Sequence, residues 1–167
     1  MNSDNFPENY KSYVELVPEV NVYQQMEEST KDLLKSLIMT SNSKAEQSYA
    51  PGKWNIKEVL QHLMDVERVF SYRALCIARG DRREHYRFDV ESYAELSHPN
   101  HRKLRDIMDE VRRLRISTID LFKSFDDDAL DRKGLINGEE LSVKQLLIIL
   151  IGHEMHHLRV LNEKYLS

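Results

Sequence analysis

Near the C-terminus the chain reads LLIILIGHEMHHLRVL, and His153, Glu154 and His157 within it satisfy the H-E-x-x-H pattern. The pattern has mechanical content. Residues four apart on a helix share a face, so two imidazoles can hold one metal ion while the intervening Glu polarises water, as in zinc metallopeptidases. A peptidase of that type also needs a third ligand downstream, and only ten residues follow His157. The short-motif position for that ligand holds Glu163, and Val160 stands where such enzymes turn on Gly. No strand pattern offers an edge on which to align a peptide. The motif is therefore two candidate ligands in search of a third.

Helix periodicity supplies a candidate. Around His153 and His157 the apolar stripe runs Val143, Leu146, Leu150, Val160 and Leu161, so both imidazoles occupy the core-facing line. Four residues of helix differ by only about 40° around the axis. His62 lies in a second such stripe with Val59, Leu63, Val66 and Phe70. One histidine on an apolar stripe is ordinarily a satisfied core residue; three on two inward faces need a common partner, because an unsatisfied buried polar group costs about 1–3 kcal/mol. A divalent metal held by neutral nitrogens is such a partner. Zn suits the ligand type best, and Ni, Co, Mn and Fe also accept imidazole and water. His156, nearer the stripe's edge, reads as a packing residue or one that supports a ligand from behind, and Glu154 as a surface or interhelical charge or a group that orients water or a ligand from behind. His85, His98 and His101 read as solvated loop residues. Asp65, Glu67, Arg73 and Arg79 read as a solvated or salt-bridged helix face.

The elements that must position these residues are helices. Gly and Pro are scarce, and apolar residues recur with helical period, which predicts an all-α fold. The first predicted helix covers Val22 to Ser41, with Met26, Leu33, Leu34 and Leu37 inward, and ends in the polar stretch TSNSKAEQSYAPG. The second starts after Asn55, an N-cap with Glu58 three residues on, and stops at Gly80. The segment DRREHYRFDVESYAELSHPN is too long for a tight turn and must cross the bundle or cover one end. The third runs from His101 to Phe125, DDDALDRKGLINGEEL is a turn-rich link, and the fourth begins at Ser142, capped with Gln145. A four-helix bundle with one long crossover between helices 2 and 3 is the expected architecture, a fold that builds metal sites from facing helices. Residues 1–167 are expected to form a single domain, with 1–20 as an N-terminal extension.

Composition narrows the function classes. With 167 residues, 41% of them hydrophobic, the chain is long enough to bury a core. A net charge of -4 speaks against nucleic acid as the main ligand, and the locally basic HRKLRDIMDEVRRLR alternates with apolar residues as a half-exposed helix does. The apolar run Leu146 to Ile151 is far shorter than the roughly 20 residues needed to cross a bilayer. A single cysteine, Cys76, excludes an internal disulfide and reads as a small buried apolar residue; with no secretory segment visible, a cytoplasmic setting is expected.

Three segments together resemble the DinB-like superfamily of metal-binding four-helix proteins: PGKWNIKEVLQHLMDVERVFSYRALCIARGD, then FDVESYAE, then LSVKQLLIILIGHEMHHLRVLNEKYL. The resemblance covers roughly residues 20 to 167. It implies a metal held by one His of the second helix and two of the last, here His62, His153 and His157. It also implies a homodimer and a small-molecule thiol acting on an electrophilic substrate, since characterised members include thiol-dependent S-transferases and isomerases; others are regarded as metal-dependent hydrolases.

Overall fold

The computed structural model describes residues 3–166. Four long helices dominate: α2 (Val22–Leu37), α4 (Ile56–Ala78), α6 (Leu104–Lys123) and α8 (Val143–Lys164). Shorter elements lie between and before them: α1 (Glu8–Val14), α3 (Asn42–Ala45), α5 (Val90–Ser97), α7 (Asp127–Asp131), and the strands β1 (Lys133–Ile136) and β2 (Glu139–Ser142). Among the described residues, no helix is long and apolar enough to cross a membrane.

The predicted caps are in place. At α4 the Asn55 side chain accepts from the Glu58 amide at 3.0 Å while Glu58 accepts from the Asn55 amide at 2.7 Å. At α8, Ser142 and Gln145 make the same reciprocal pair at 3.1 and 2.8 Å. Each box satisfies two helix N-terminal amides that no intrahelical carbonyl can reach. The third long helix starts at Leu104 rather than His101, because 99–101 form a single 3-10 turn behind Pro99. A lysine anchors that turn: Lys57, fully buried, donates from Nζ to the carbonyl of Arg102 at 2.6 Å and to Glu46 at 2.6 Å.

In the bundle α2 packs on α6 and α8, and α4 packs on the same two, so α2 and α4 are diagonal partners. Two apolar clusters fill the interior. One takes Met26, Val66, Phe70, Phe122 and the first half of α8; the other takes Leu33, Leu37, Leu60, Leu63, Ile107, Val111 and Leu161. The order in which each helix visits them makes α2 parallel to α8 and α4 parallel to α6. A parallel pair cannot be joined by a tight turn. That is why the 25-residue span 79–103, carrying α5, returns along the bundle between α4 and α6.

Two features depart from the expected outline. Residues 8–14, expected only as part of an extension, form α1, which packs along α8. All residues from Leu146 to Ile151 are buried as a result, which is what a helix apolar all round its axis requires. The approach is backbone to backbone: a Cβ at Gly152 would lie 2.1 Å from the carbonyl oxygen of Tyr13. The link before α8 contains, besides α7, a β-hairpin whose turn residues Asn137 and Gly138 both have positive φ (52° and 80°). Asn-Gly is the preferred pair for a two-residue turn of that hand. His85 extends the hairpin, donating its amide to Leu135 at 2.9 Å and accepting from Asn137 at 3.1 Å. The crossover is thereby pinned, with Arg87 and Phe88 held beside the hairpin turn.

Candidate metal centre

Between the two apolar clusters lies a polar layer, and α8 contributes to it on two sides. On one side His153 and His157 meet His62 of α4. The Nε2 atoms of His62 and His153 are 3.1 Å apart, and those of His157 and His153 are 3.2 Å apart. One ligand atom from each of the three lies within 4.8 Å of the others. Tetrahedral coordination at about 2.0–2.1 Å would separate two nitrogens by about 3.3 Å, close to both measured spacings.

The protonation of the cluster fits a cation. Burial lowers the pKa of His62 to about 4. Burial first, then the neighbouring His62 and His156, lowers His157 to about 3. His153, the most enclosed, is pushed well below the usual histidine range by burial and by its three histidine neighbours. All three rings are neutral at neutral pH. A neutral ring nitrogen has one in-plane site, holding either a proton or a lone pair. The Nε2 of His153 faces two other nitrogens at hydrogen-bond distance, so only one of those contacts can be a hydrogen bond. Three lone pairs aimed at a shared cation remove the conflict.

Neighbouring rings fix the imidazoles. Trp54 stacks at a tilt on His62, with centroids 4.9 Å apart, and Tyr13 meets His153 edge-on at 5.4 Å. His156 packs against Tyr13 and His157, in keeping with a packing role, and contributes no atom to the cluster. The three imidazoles close one end of a cavity of about 360 Å³ whose walls come from α1, α4, α8, the crossover and the hairpin turn. His85, His98 and His101 do not line it. His85 pairs with the hairpin, and His98 adopts a left-handed conformation that ends α5.

On its other side α8 presents Glu154, 1% exposed, to a buried charge network. Arg115 of α6 donates to Glu154 at 3.0 and 2.9 Å, to Glu67 of α4 at 3.0 and 2.9 Å, and to the Met26 carbonyl at 3.2 Å. Ser29 and Thr30 of α2 donate to the same Glu154 carboxylate. Burial opposes the charge on Arg115, but the two carboxylates outweigh it and raise its pKa. Glu154 is thus an interhelical charge whose oxygens are committed to α2 and α6. Glu67 and Arg73, expected on a solvated or salt-bridged face, are each only 4% exposed, and Glu67 is salt-bridged to Arg115. The missed signal was spacing: Arg115 stands four residues after Val111 on the stripe of α6, where an aliphatic residue was due.

A four-helix bundle with imidazoles converging from two adjacent antiparallel helices, here α4 and α8, defines a class of metal-site scaffolds. The chain belongs to the DinB superfamily, whose family model matches residues 23–161. Its fold is similar to that of YfiT from Bacillus subtilis, reported as a probable metal-dependent hydrolase with an unusual four-helix bundle topology. The TM-score is 0.75 at 18% identity, covering 88% of this chain and 89% of that one. It is also similar to the mycothiol-dependent maleylpyruvate isomerase, with a TM-score of 0.69 at 11% identity; 95% of this chain aligns with 62% of the isomerase. A search of curated proteins finds no match.

Proposed function

We propose that the chain is a metal-dependent enzyme in which His62, His153 and His157 hold one divalent cation, Zn before Ni, Co, Mn or Fe, and that it transfers a low-molecular-weight thiol to a small electrophile. The observation that carries the proposal is the convergence of three neutral Nε2 atoms at the end of a cavity. The described residues offer three ligands in this group and no fourth, which suits a centre open to substrate rather than a closed structural one. A divalent cation there supplies Lewis acidity toward a thiol or a water.

The chain's own groups have separate tasks. Trp54 and Tyr13 hold the imidazole planes, while Val66, Phe70, Ile149 and Leu150 line the cavity with apolar surface and limit water. Glu154 takes no part at the reacting centre, because its carboxylate is bound by Ser29, Thr30 and Arg115. Hydrolysis is the second reading; the fold likeness to YfiT favours it. A homodimer and a cytoplasmic setting belong to the same proposal, and sedimentation and cell fractionation test them.

The deciding experiment measures metal stoichiometry, then thiol consumption against a panel of thiols and electrophiles, with ester hydrolysis in the absence of thiol as the second arm. One metal per chain, lost in His62→Ala, His153→Ala and His157→Ala, together with thiol-dependent turnover, is the expected result. Full metal affinity in any one of the three variants refutes the ligand set. Stoichiometric metal with no turnover in either arm leaves a metal-binding protein without catalysis.

A further inference from the structure

The cavity beside the imidazoles holds a buried arginine, Arg73, with no carboxylate against it among the described residues. His62, Val66, Phe70 and Arg73 stand 0, 4, 8 and 11 positions along α4, which places all four within about 80° of one another and Arg73 about 20° from His62. All four line the cavity. The rise along the axis from His62 to Arg73 is about 16 Å, three helical turns.

The surroundings of Arg73 are unlike those of Arg115. Arg73 donates one N–H to the Tyr86 carbonyl at 2.7 Å, and its guanidinium lies 5.4 and 5.8 Å from the ring centres of Phe70 and Phe88. Burial lowers its pKa, with the Tyr10 phenol working the other way. No Asp or Glu lines the cavity, in a chain with 28 acidic residues, and a second arginine, Arg87, stands exposed at the same wall. The fold gives its other buried arginine two carboxylates. A desolvated guanidinium without an anionic partner is costly. Holding the Tyr86 carbonyl explains a donor at this position but not a charge.

We propose that the cavity binds a small molecule with an anionic oxygen group, carboxylate or phosphate, on Arg73, and its reactive head at the imidazole cluster three turns away. The proposal rests on the reading of the three histidines as metal ligands and adds the substrate class. Four N–H groups of Arg73 remain for the anion, enough for a bidentate contact, and Phe70, Val66 and Tyr10 offer apolar surface for the stretch between head and anion.

The test uses Co²⁺-loaded protein and three thiols of equal chain length: 6-mercaptohexanoate, 6-mercaptohexyl phosphate and 6-mercaptohexan-1-ol. Affinity is read from the cobalt absorption spectrum and by calorimetry. At least one anionic thiol should bind about tenfold to a hundredfold more tightly than the alcohol, as a charge-assisted contact implies, and the two anions separate carboxylate from phosphate. Arg73→Met should remove the preference with the cobalt spectrum and alcohol affinity unchanged, and Arg73→Lys should restore part of it. Wild-type protein that binds the alcohol as tightly as both anions overturns the proposal, and this comparison needs no variant to fold. A preference that survives in Arg73→Met overturns the assignment to Arg73. Failure of wild-type protein to take up cobalt refutes the metal reading instead; the anion site is then judged by hexanoate and hexyl phosphate binding to metal-free wild type and Arg73→Met.

Discussion

Replacing Arg115 by Met keeps most of the side chain's length and removes its charge from between two buried carboxylates. Glu67 and Glu154 are 4% and 1% exposed, and four of the five hydrogen bonds that Arg115 donates go to them. Breaking a buried ion pair by deleting one partner costs about 3–5 kcal/mol. The loss has a ceiling, since each orphaned carboxylate can instead take a proton. From an ordinary value of 4.5 that costs about 3.4 kcal/mol per group at pH 7, about 7 kcal/mol for both, and only about 0.7 kcal/mol per group at pH 5. The sign follows: carboxyls raised in the folded variant destabilise it as pH climbs above 4.5. Urea unfolding of wild type and Arg115→Met at pH 7 and pH 5 should therefore show a penalty of about 3–7 kcal/mol that shrinks in acid. Converting Glu67 and Glu154 to Leu in the same background should recover most of it. A penalty below about 1 kcal/mol, or one equal at the two pH values, would refute the account of this layer as an electrostatic unit.

Three further outcomes follow from the same geometry. Glu154→Gln should lower stability by about 1–3 kcal/mol yet leave Zn²⁺ affinity within a few-fold of wild type; a loss of a hundredfold would return the Glu to the metal centre. Gly152→Ala sets a methyl group against the Tyr13 carbonyl, so α1 must shift at about 1–3 kcal/mol, visible as faster amide exchange over residues 8–14; unchanged exchange would contradict the close approach. In chelator-treated protein His62 and His157 stay neutral down to about 4 and about 3, whereas the unfolded chain protonates them near 6.5. Stability should then fall as pH drops from 6.5 toward 4, by up to about 1.4 kcal/mol per pH unit for each ring, and a flat urea midpoint over that window would count against burial of the cluster.

Much of the scaffold was legible because helix caps and apolar period are local. Asn55 with Glu58 and Ser142 with Gln145 placed two helix starts to within a residue. His62, His153 and His157 stood out because each replaced an aliphatic residue on an inward stripe. Arg115 and Glu67 stand on inward stripes too, but charged residues ordinarily belong to the surface, and only their meeting with Glu154 across three helices explains them. The hairpin was hidden by its brevity: four-residue strands carry almost no period, and Asn137-Gly138 was the sole strong mark. The docking of α1 depends on a contact between Tyr13 and Gly152 distant in sequence, and nothing within residues 8–14 announces it.

That docking has a consequence for how such a site changes. The imidazoles come from α4 and α8, but Asn9, Tyr10 and Tyr13 of a seven-residue helix form one wall of the cavity. Part of the ligand's surroundings is thus written in a stretch of chain that supplies no metal ligand. Grafting another sequence over residues 8–12, with Tyr13 and Gly152 kept, would reshape what enters the cavity and leave the imidazoles and the ring that holds His153 in place, making most of this short helix an interchangeable part for retuning the centre.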